Sequence, residues 1–303
     1  MDFLAVFQKM LSILFVILGG YLANRLGYLG GDTDRKLSKL LLNLTMPAMI
    51  LGSVFCGEDL GELATILSIL KVALLFYLLA FAFVLLVPPL LGRTEGEKGA
   101  WRYAMAFSNV GFIGYPVAVA LYGPGALFYA VILALPFNLM AYSLGPLLLV
   151  GKSRFQWKAL LSPCTLAAAL GLLCALGNLR PPALVGELLD FLGSVTVPLS
   201  LLLVGSLLAG LSLKSVFAAP RVWVLAALRL LLLPLCLWGI LHPLGLPEVI
   251  VGVAVTQMGM PVAINGTLLS MEYGGDTESL ARLTFLTTLG SIVTIPLLAA
   301  ILL

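Results

Sequence analysis

The chain has 303 residues, 61% of them apolar and only 10% charged, with a formal net charge of +3 and a mean hydropathy of +1.12. Soluble domains carry roughly a quarter charged residues, so an ordinary soluble enzyme is excluded. No basic tail or acidic run offers a nucleic-acid surface either.

At about 20 residues per membrane span, ten apolar segments fill most of the chain. They run approximately 4–24, 37–55, 64–91, 100–121, 125–150, 159–178, 184–211, 221–241, 248–270 and 279–302. All are expected to be helices, because an open strand edge cannot be satisfied in lipid. Asp2 is acidic and no basic region precedes the first apolar stretch. That stretch therefore reads as a retained helix rather than a signal peptide.

The connections alternate in charge. Arg25, Arg35, Lys36 and Lys39 flank the first, and Glu58, Asp59 and Glu62 occupy the second. Arg93, Lys98 and Arg102 mark the third, whereas the fourth, Tyr122-Gly123-Pro124-Gly125, is uncharged. Lys152, Arg154 and Lys158 crowd the fifth, and Lys214 and Arg221 frame the seventh. An excess of Lys and Arg marks the cytoplasmic side, so the odd connections are expected inside the cell and both termini outside. The ninth, with Glu272, Asp276, Glu278 and Arg282, shows no basic excess.

A weak internal repeat runs through the segments. Thr45-Met46-Pro47 with Gly52-Ser53 resembles Thr196-Val197-Pro198 with Gly205-Ser206. Gly114-Tyr115-Pro116-Val117-Ala118 resembles Gly259-Met260-Pro261-Val262-Ala263, and Pro146-Leu147-Leu148 resembles Pro296-Leu297-Leu298. The three pairs occur in the same order, offset by five spans. Five is odd, so matching helices must cross in opposite directions. The expected fold is an all-α integral membrane protein of ten transmembrane helices, built as two inverted five-helix repeats. Residues 1–151 form the first repeat and 152–303 the second, within one integrated domain.

The fourth and ninth segments carry the chemistry. Ser108-Asn109-Val110-Gly111-Phe112-Ile113-Gly114-Tyr115-Pro116 and Thr256-Gln257-Met258-Gly259-Met260-Pro261, with Asn265 beyond, put glycine, proline and amides near mid-membrane. Proline removes a donor and glycine lets the chain unwind, so both helices are expected to be broken. Freed backbone groups at that depth are tolerated where they line a cavity, and a half-helix N-terminus favours an anion. The candidate binding residues are Asn109, Gly111, Pro116, Thr256, Gln257, Gly259, Pro261 and Asn265. Asn43 and Thr196 either line the same cavity or satisfy helix backbone locally.

These motifs resemble the auxin efflux carrier family, which includes plant auxin carriers and bacterial permeases proposed for malate or malonate. The resemblance covers essentially the whole chain. It implies crossing broken helices four and nine, and an elevator-like motion that carries the substrate. Asn109, Pro116, Gln257, Pro261 and Asn265 become its site candidates. Plant members often have an Asn-Pro-Asn signature and a long hydrophilic central loop, whereas here Val110 follows Asn109 and the centre is only Gly151 to Lys158. The chain is closer to the small bacterial organic-acid permeases.

Among charges, Arg229 lies about 12 Å into the eighth segment at 1.5 Å per residue. It either serves function there or snorkels to the surface. Lys71 sits at similar depth in the third segment. Glu187 and Asp190 share a helix face and form either a proton or cation site or, more simply, a solvated rim. His242, the sole histidine, has little to suggest a proton shuttle. Cys56, Cys164, Cys174 and Cys236 lack CxxC spacing and read as packing residues rather than a disulfide or metal site. The sequons at Asn43 and Asn265 fall inside spans and are rejected.

No metal, cofactor or enzymatic constellation is expected. The functional expectation is secondary transport of a small organic anion by alternating access, with a passive channel as the alternative and an intramembrane enzyme further behind. Its partners would be the anion, the bilayer and, if flux is coupled, a proton or sodium ion. Faces rich in small residues would support a homodimer.

Overall fold

The computed structural model describes residues 3–55, 63–151, 161–177, 179, 181–210 and 220–302. The acidic second connection, the basic fifth connection, Lys214 and Cys56 lie outside these residues. Among the described residues the protein is all helical, and the sole extended pairing is an isolated bridge between Ser108 and Val262.

The chain opens with α1 (Phe3–Arg25) and α2 (Gly31–Leu40), which passes through a wide π turn (Leu41–Thr45) into α3 (Met46–Phe55). Next come α4 (Leu63–Leu91), α5 (Glu95–Ala106), a second π turn (Val110–Gly114), α6 (Tyr115–Tyr122) and α7 (Ala126–Val150). Beyond the centre lie α8 (Pro163–Leu176), α9 (Ala183–Ser194) and α10 (Thr196–Ala209). The last third holds α11 (Pro220–Ala227), a π turn (Leu228–Leu232), α12 (Leu233–Leu241), α13 (Glu248–Met258), α14 (Asn265–Tyr273) and α15 (Thr277–Leu302).

Five segments are long and apolar enough to cross a membrane by length and composition: 31–55, 64–91, 183–209, 220–244 and 277–301. Five shorter apolar stretches, 11–25, 110–122, 126–137, 163–176 and 248–258, fall in the remaining expected spans.

Two groups of helices organise the packing. In the first, α1 packs along α10, and α3 packs against α8 and α9. Gly20 and Gly205 let α1 and α10 approach backbone to backbone, since a Cβ at Gly20 would collide with the Leu202 carbonyl and one at Gly205 with that of Ile17. Close approach on small residues supplies the van der Waals contact that joins helices in lipid. In the second group, α4 packs on α5 and α7, α12 on α13, and α15 on α11, α14 and α5.

Described residues that flank the odd connections lie together at one end. Arg221 donates to the Leu91 carbonyl at 2.9 Å, joining the start of α11 to the end of α4. A pocket of about 300 Å³ there is lined by Glu95, Gly96 and Arg102, by Leu149–Gly151 where α7 ends, and by Gly274–Asp276 of the ninth connection. Lys98, 2.8 Å from Glu95, holds that carboxyl below the usual carboxylate range. The ninth connection uses its charges locally: Arg282 pairs with Glu278, and Asp276 accepts from the Ser279 backbone N–H at 2.9 Å. At the same end, buried Asp34 accepts from Ser206 Oγ at 2.7 Å, tying α2 to the end of α10.

Candidate binding site at a helix crossing

Two segments give up helical structure at the centre of the protein. The first begins conventionally: Thr94 caps α5 by accepting from the Glu97 N–H, while Glu97 reaches back to the Arg93 N–H at 2.7 Å, a reciprocal arrangement that fixes a helix start. At Phe107 the backbone becomes extended, with φ −123° and ψ 112°. Asn109 then turns the chain, its Oδ1 accepting from the Phe112 N–H at 3.2 Å. Pro116 lies in the continuous helical stretch Val110–Tyr122, where its missing N–H leaves a carbonyl of the preceding turn without a helical partner.

The second segment stops at Met258 and resumes at Asn265. Between them the two extended stretches cross antiparallel. The Asn109 N–H donates to the Pro261 carbonyl at 2.8 Å, and the Ala263 N–H to the Phe107 carbonyl at 3.1 Å. The Val262 N–H finds Thr287 Oγ1 on α15 at 3.1 Å. Thus three of the backbone N–H groups at the interruptions find acceptors, two across the crossing and one on α15, as a low-dielectric interior requires.

The side chains are treated differently. Asn109 is 3% exposed and its Nδ2 has no hydrogen-bond partner, while Gln257 is fully buried with neither amide atom partnered. Gln257 Oε1 occupies space that a Cβ at Gly114 would enter, at 2.6 Å. Two tyrosines reach in: Tyr122 Oη lies 2.8 Å from Thr256 Oγ1, and Tyr103 Oη donates to Asn265 Oδ1 at 3.2 Å.

A cavity of about 50 Å³ lies against the first extended stretch, several times the space one water needs. Asn109, Val110, Gly111, Phe112 and Tyr115 line it together with Asn265, Ala134 and Phe137; Leu42, Met46, Ile50 and Cys164 close it from the first helix group. Its wall therefore belongs to both groups. Ser200 of α10 adds a bond between them, its Oγ lying 3.1 Å from the Phe112 carbonyl and 2.9 Å from that of Val197.

The structure brings Asn109, Gly111 and Asn265 to the cavity, with Pro116 one turn behind. Thr256, Gln257, Gly259 and Pro261 surround the crossing without lining that space. Thr196 is buried with its Oγ1 unpartnered, as is its repeat counterpart Thr45, and neither lines the cavity. Asn43 is not brought there: it is exposed and donates to the Lys39 carbonyl at 2.8 Å. Lys71 is exposed on α4. Glu187 and Asp190 are exposed on α9, and Asp190 borders a separate pocket of about 300 Å³ with Met49, Gly52 and Gly193. His242 stacks on Trp238, the ring centroids 4.6 Å apart. Cys174 and Cys236 are free thiols, as is Cys164 in the cavity wall. Arg229 does not snorkel; it is fully buried at the crossing.

Reasoning from sequence missed Tyr103, Tyr122, Ser200 and Thr287. Each meets its partner across a long interval of chain, and no local spacing announces it.

An all-helical, apolar, multi-segment chain with unpartnered amides buried at its centre is a membrane protein built to handle a solute. The chain belongs to the family described as membrane transport proteins, which it matches over residues 5–154 and 146–299. This is the auxin efflux carrier family expected from the Asn109–Pro116 and Gly259–Pro261 segments. The chain is 29% identical over 306 residues to an uncharacterized transporter of Methanothermobacter thermautotrophicus, with 100% of both chains covered. It is 25% identical to an uncharacterized transporter of Methanocaldococcus jannaschii, covering 97% of each. It is also 26% identical, over 91% of this chain and 89% of the other, to a Rhizobium meliloti protein named provisionally as a malonate transporter. The family and these relatives are membrane transporters, not enzymes.

Proposed function

We propose that the protein is a secondary transporter of a small organic anion, which binds where the two interrupted segments cross. The observation that carries this reading is the cavity beside Asn109, a buried amide whose Nδ2 is unpartnered. Unpaired buried polar groups are rare in native proteins. Here the open groups include a donor, the described lining holds no carboxylate, and α14 begins at the cavity with Asn265. A helix N-terminus and amide donors suit a carboxylate. The apolar wall of Met46, Ile50 and Phe137 suits a short carbon skeleton. The malonate assignment in the name of the Rhizobium meliloti relative points to the same class.

The architecture behind this reading is ten spans in two inverted repeats, 1–151 and 152–303, with broken helices four and nine. Packing supports it: α1 of the first half lies along α10 of the second, and α8 of the second lies against α3 of the first, the reciprocal exchange expected of inverted halves. The cavity wall is shared between the two helix groups. Alternating access then proceeds by sliding the group that contains the crossing past the other, an elevator-like motion. Both termini lie outside and the odd connections inside, following their basic charge.

The test is counterflow in proteoliposomes preloaded separately with malate, malonate, succinate or indole-3-acetate. A carrier accelerates exchange of one acid against internal substrate, and Asn109→Ala abolishes that exchange while remaining folded. Solute flux without saturation or exchange would instead mark a channel. Normal exchange by the Asn109→Ala variant would remove the site assignment.

A further inference from the structure

Arg229 sits in the π turn between α11 and α12, with its guanidinium 0% exposed. Nη1 donates to the Met258 carbonyl at 2.7 Å and Nη2 to Ser108 Oγ, while Nε has no partner. Among the described residues no carboxylate lies within ion-pair distance of it. A buried cation left unpaired is costly, and intramembrane charges mark substrate or ion paths by default. The Met258 carbonyl, at the C-terminal and negative end of α13, offsets only part of the charge.

Both partners stand next to a site amide. Ser108 immediately precedes Asn109, and Met258 immediately follows Gln257. One guanidinium therefore grips both interrupted segments at the residues that present those amides. The planar fork of arginine can hold two acceptors at fixed separation, which a lysine ammonium on its flexible stem cannot reproduce.

We propose that Arg229 is the positioning residue of the crossing and its fixed counter-cation, the charge that makes the site select anions over neutral molecules of the same shape. This deepens the proposed function and rests on the crossing being the site. An uncompensated charge in a low-dielectric interior acts over longer range than in water, so direct contact with the substrate is not required.

The experiment measures binding of malonate and of its uncharged diamide, malonamide, to purified wild type, Arg229→Lys, Arg229→Gln and Ser108→Ala. The readout is the ratio of the two affinities, with monodisperse elution as the folding control. Arg229→Gln should lower the malonate-to-malonamide ratio roughly tenfold or more. Arg229→Lys should keep the ratio within a few-fold while weakening both ligands, because charge remains but the fork is lost. Ser108→Ala, which keeps the charge and serves if Arg229→Gln does not fold, should leave the ratio unchanged.

Equal loss of both ligands in Arg229→Gln would overturn the counter-cation role and leave a clamp. A shifted ratio in Ser108→Ala would assign selectivity to geometry instead of charge. An Asn109→Ala control separates the two readings. Wild-type binding there removes the crossing as the site, and lost binding with an unchanged Arg229→Gln ratio removes this inference alone. A wild type that binds neither probe at millimolar concentration would remove the small-acid reading and this inference with it.

Discussion

Where α1 meets α10 and where the two extended stretches cross, the chain brings backbones together by opposite means. At the first contact both partners remain helical, and Gly20 and Gly205 clear space for the approach. At the second, helical bonding is abandoned and replaced by bonds between segments, such as Asn109 N–H to the Pro261 carbonyl at 2.8 Å. Polar side chains at the first are partnered, as Asn24 Nδ2 is by Ser206 Oγ at 3.0 Å, whereas at the second Asn109 and Gln257 keep unpartnered amide atoms. The first arrangement has little reason to exist except stability. The second leaves binding capacity open and must be held up by neighbours.

The largest effect should come from the glycine contact. In Gly205→Val the new side chain meets the Ile17 backbone, which cannot rotate away as a side-chain tip could. Overpacking of this kind costs about 1–3 kcal/mol and more when backbone must move, so Gly205→Val should sit at or above the top of that range. Thermal unfolding in detergent should show a sharply lowered midpoint or no folded protein. A variant with a wild-type midpoint would mean that α1 and α10 can separate freely, and the division into two helix groups would lose its anchor.

A smaller loss of stability should follow from removing support beneath the crossing. Thr287→Val keeps the shape of the side chain but deprives the Val262 N–H of its acceptor at 3.1 Å. Leaving a buried donor unsatisfied costs about 1–3 kcal/mol. Hydrogen exchange at Val262 should accelerate relative to the helices around it. Unchanged exchange there would show that the second extended stretch is held by Ala263 and Pro261 alone.

Much of this architecture is legible before any coordinates, for physical reasons that also set its limit. Proline and glycine act on their own backbone, so Gly111, Pro116, Gly259 and Pro261 advertise trouble for a helix within a few residues. Hydrophobic runs likewise delimit helices locally. Side-chain fate is another matter. Asn43 and Thr45 lie two residues apart on one helix, yet the first is exposed and bonds Lys39 while the second is buried, because the face of a helix is decided by what packs on it. Asp34 looks like one of several solvated charges beside Arg35 and Lys36 until Ser206 arrives from α10 to bury it. Depth in a span left Arg229 free either to snorkel or to stay. Only the pairing of Met258 with Ser108 on its guanidinium decides the question.

The smallest effect on stability should accompany a complete effect on transport, and that contrast sharpens the comparison most. Gln257 contributes a fully buried amide with neither atom partnered, so in the resting protein it stabilises little and carries the desolvation cost of its polar groups. Methionine has similar length, fits irregular space and needs no hydrogen bonds. Gln257→Met should therefore unfold at the wild-type temperature or up to about 1 kcal/mol more stably, whereas the same kind of exchange at Thr287 loses stability. If the amide serves the solute, counterflow should vanish in this well-folded variant. A Gln257→Met protein that is both destabilised and still active would invert the argument: the amide would then be a structural element with an undetected partner, and the binding capacity of the crossing would rest on Asn109 alone.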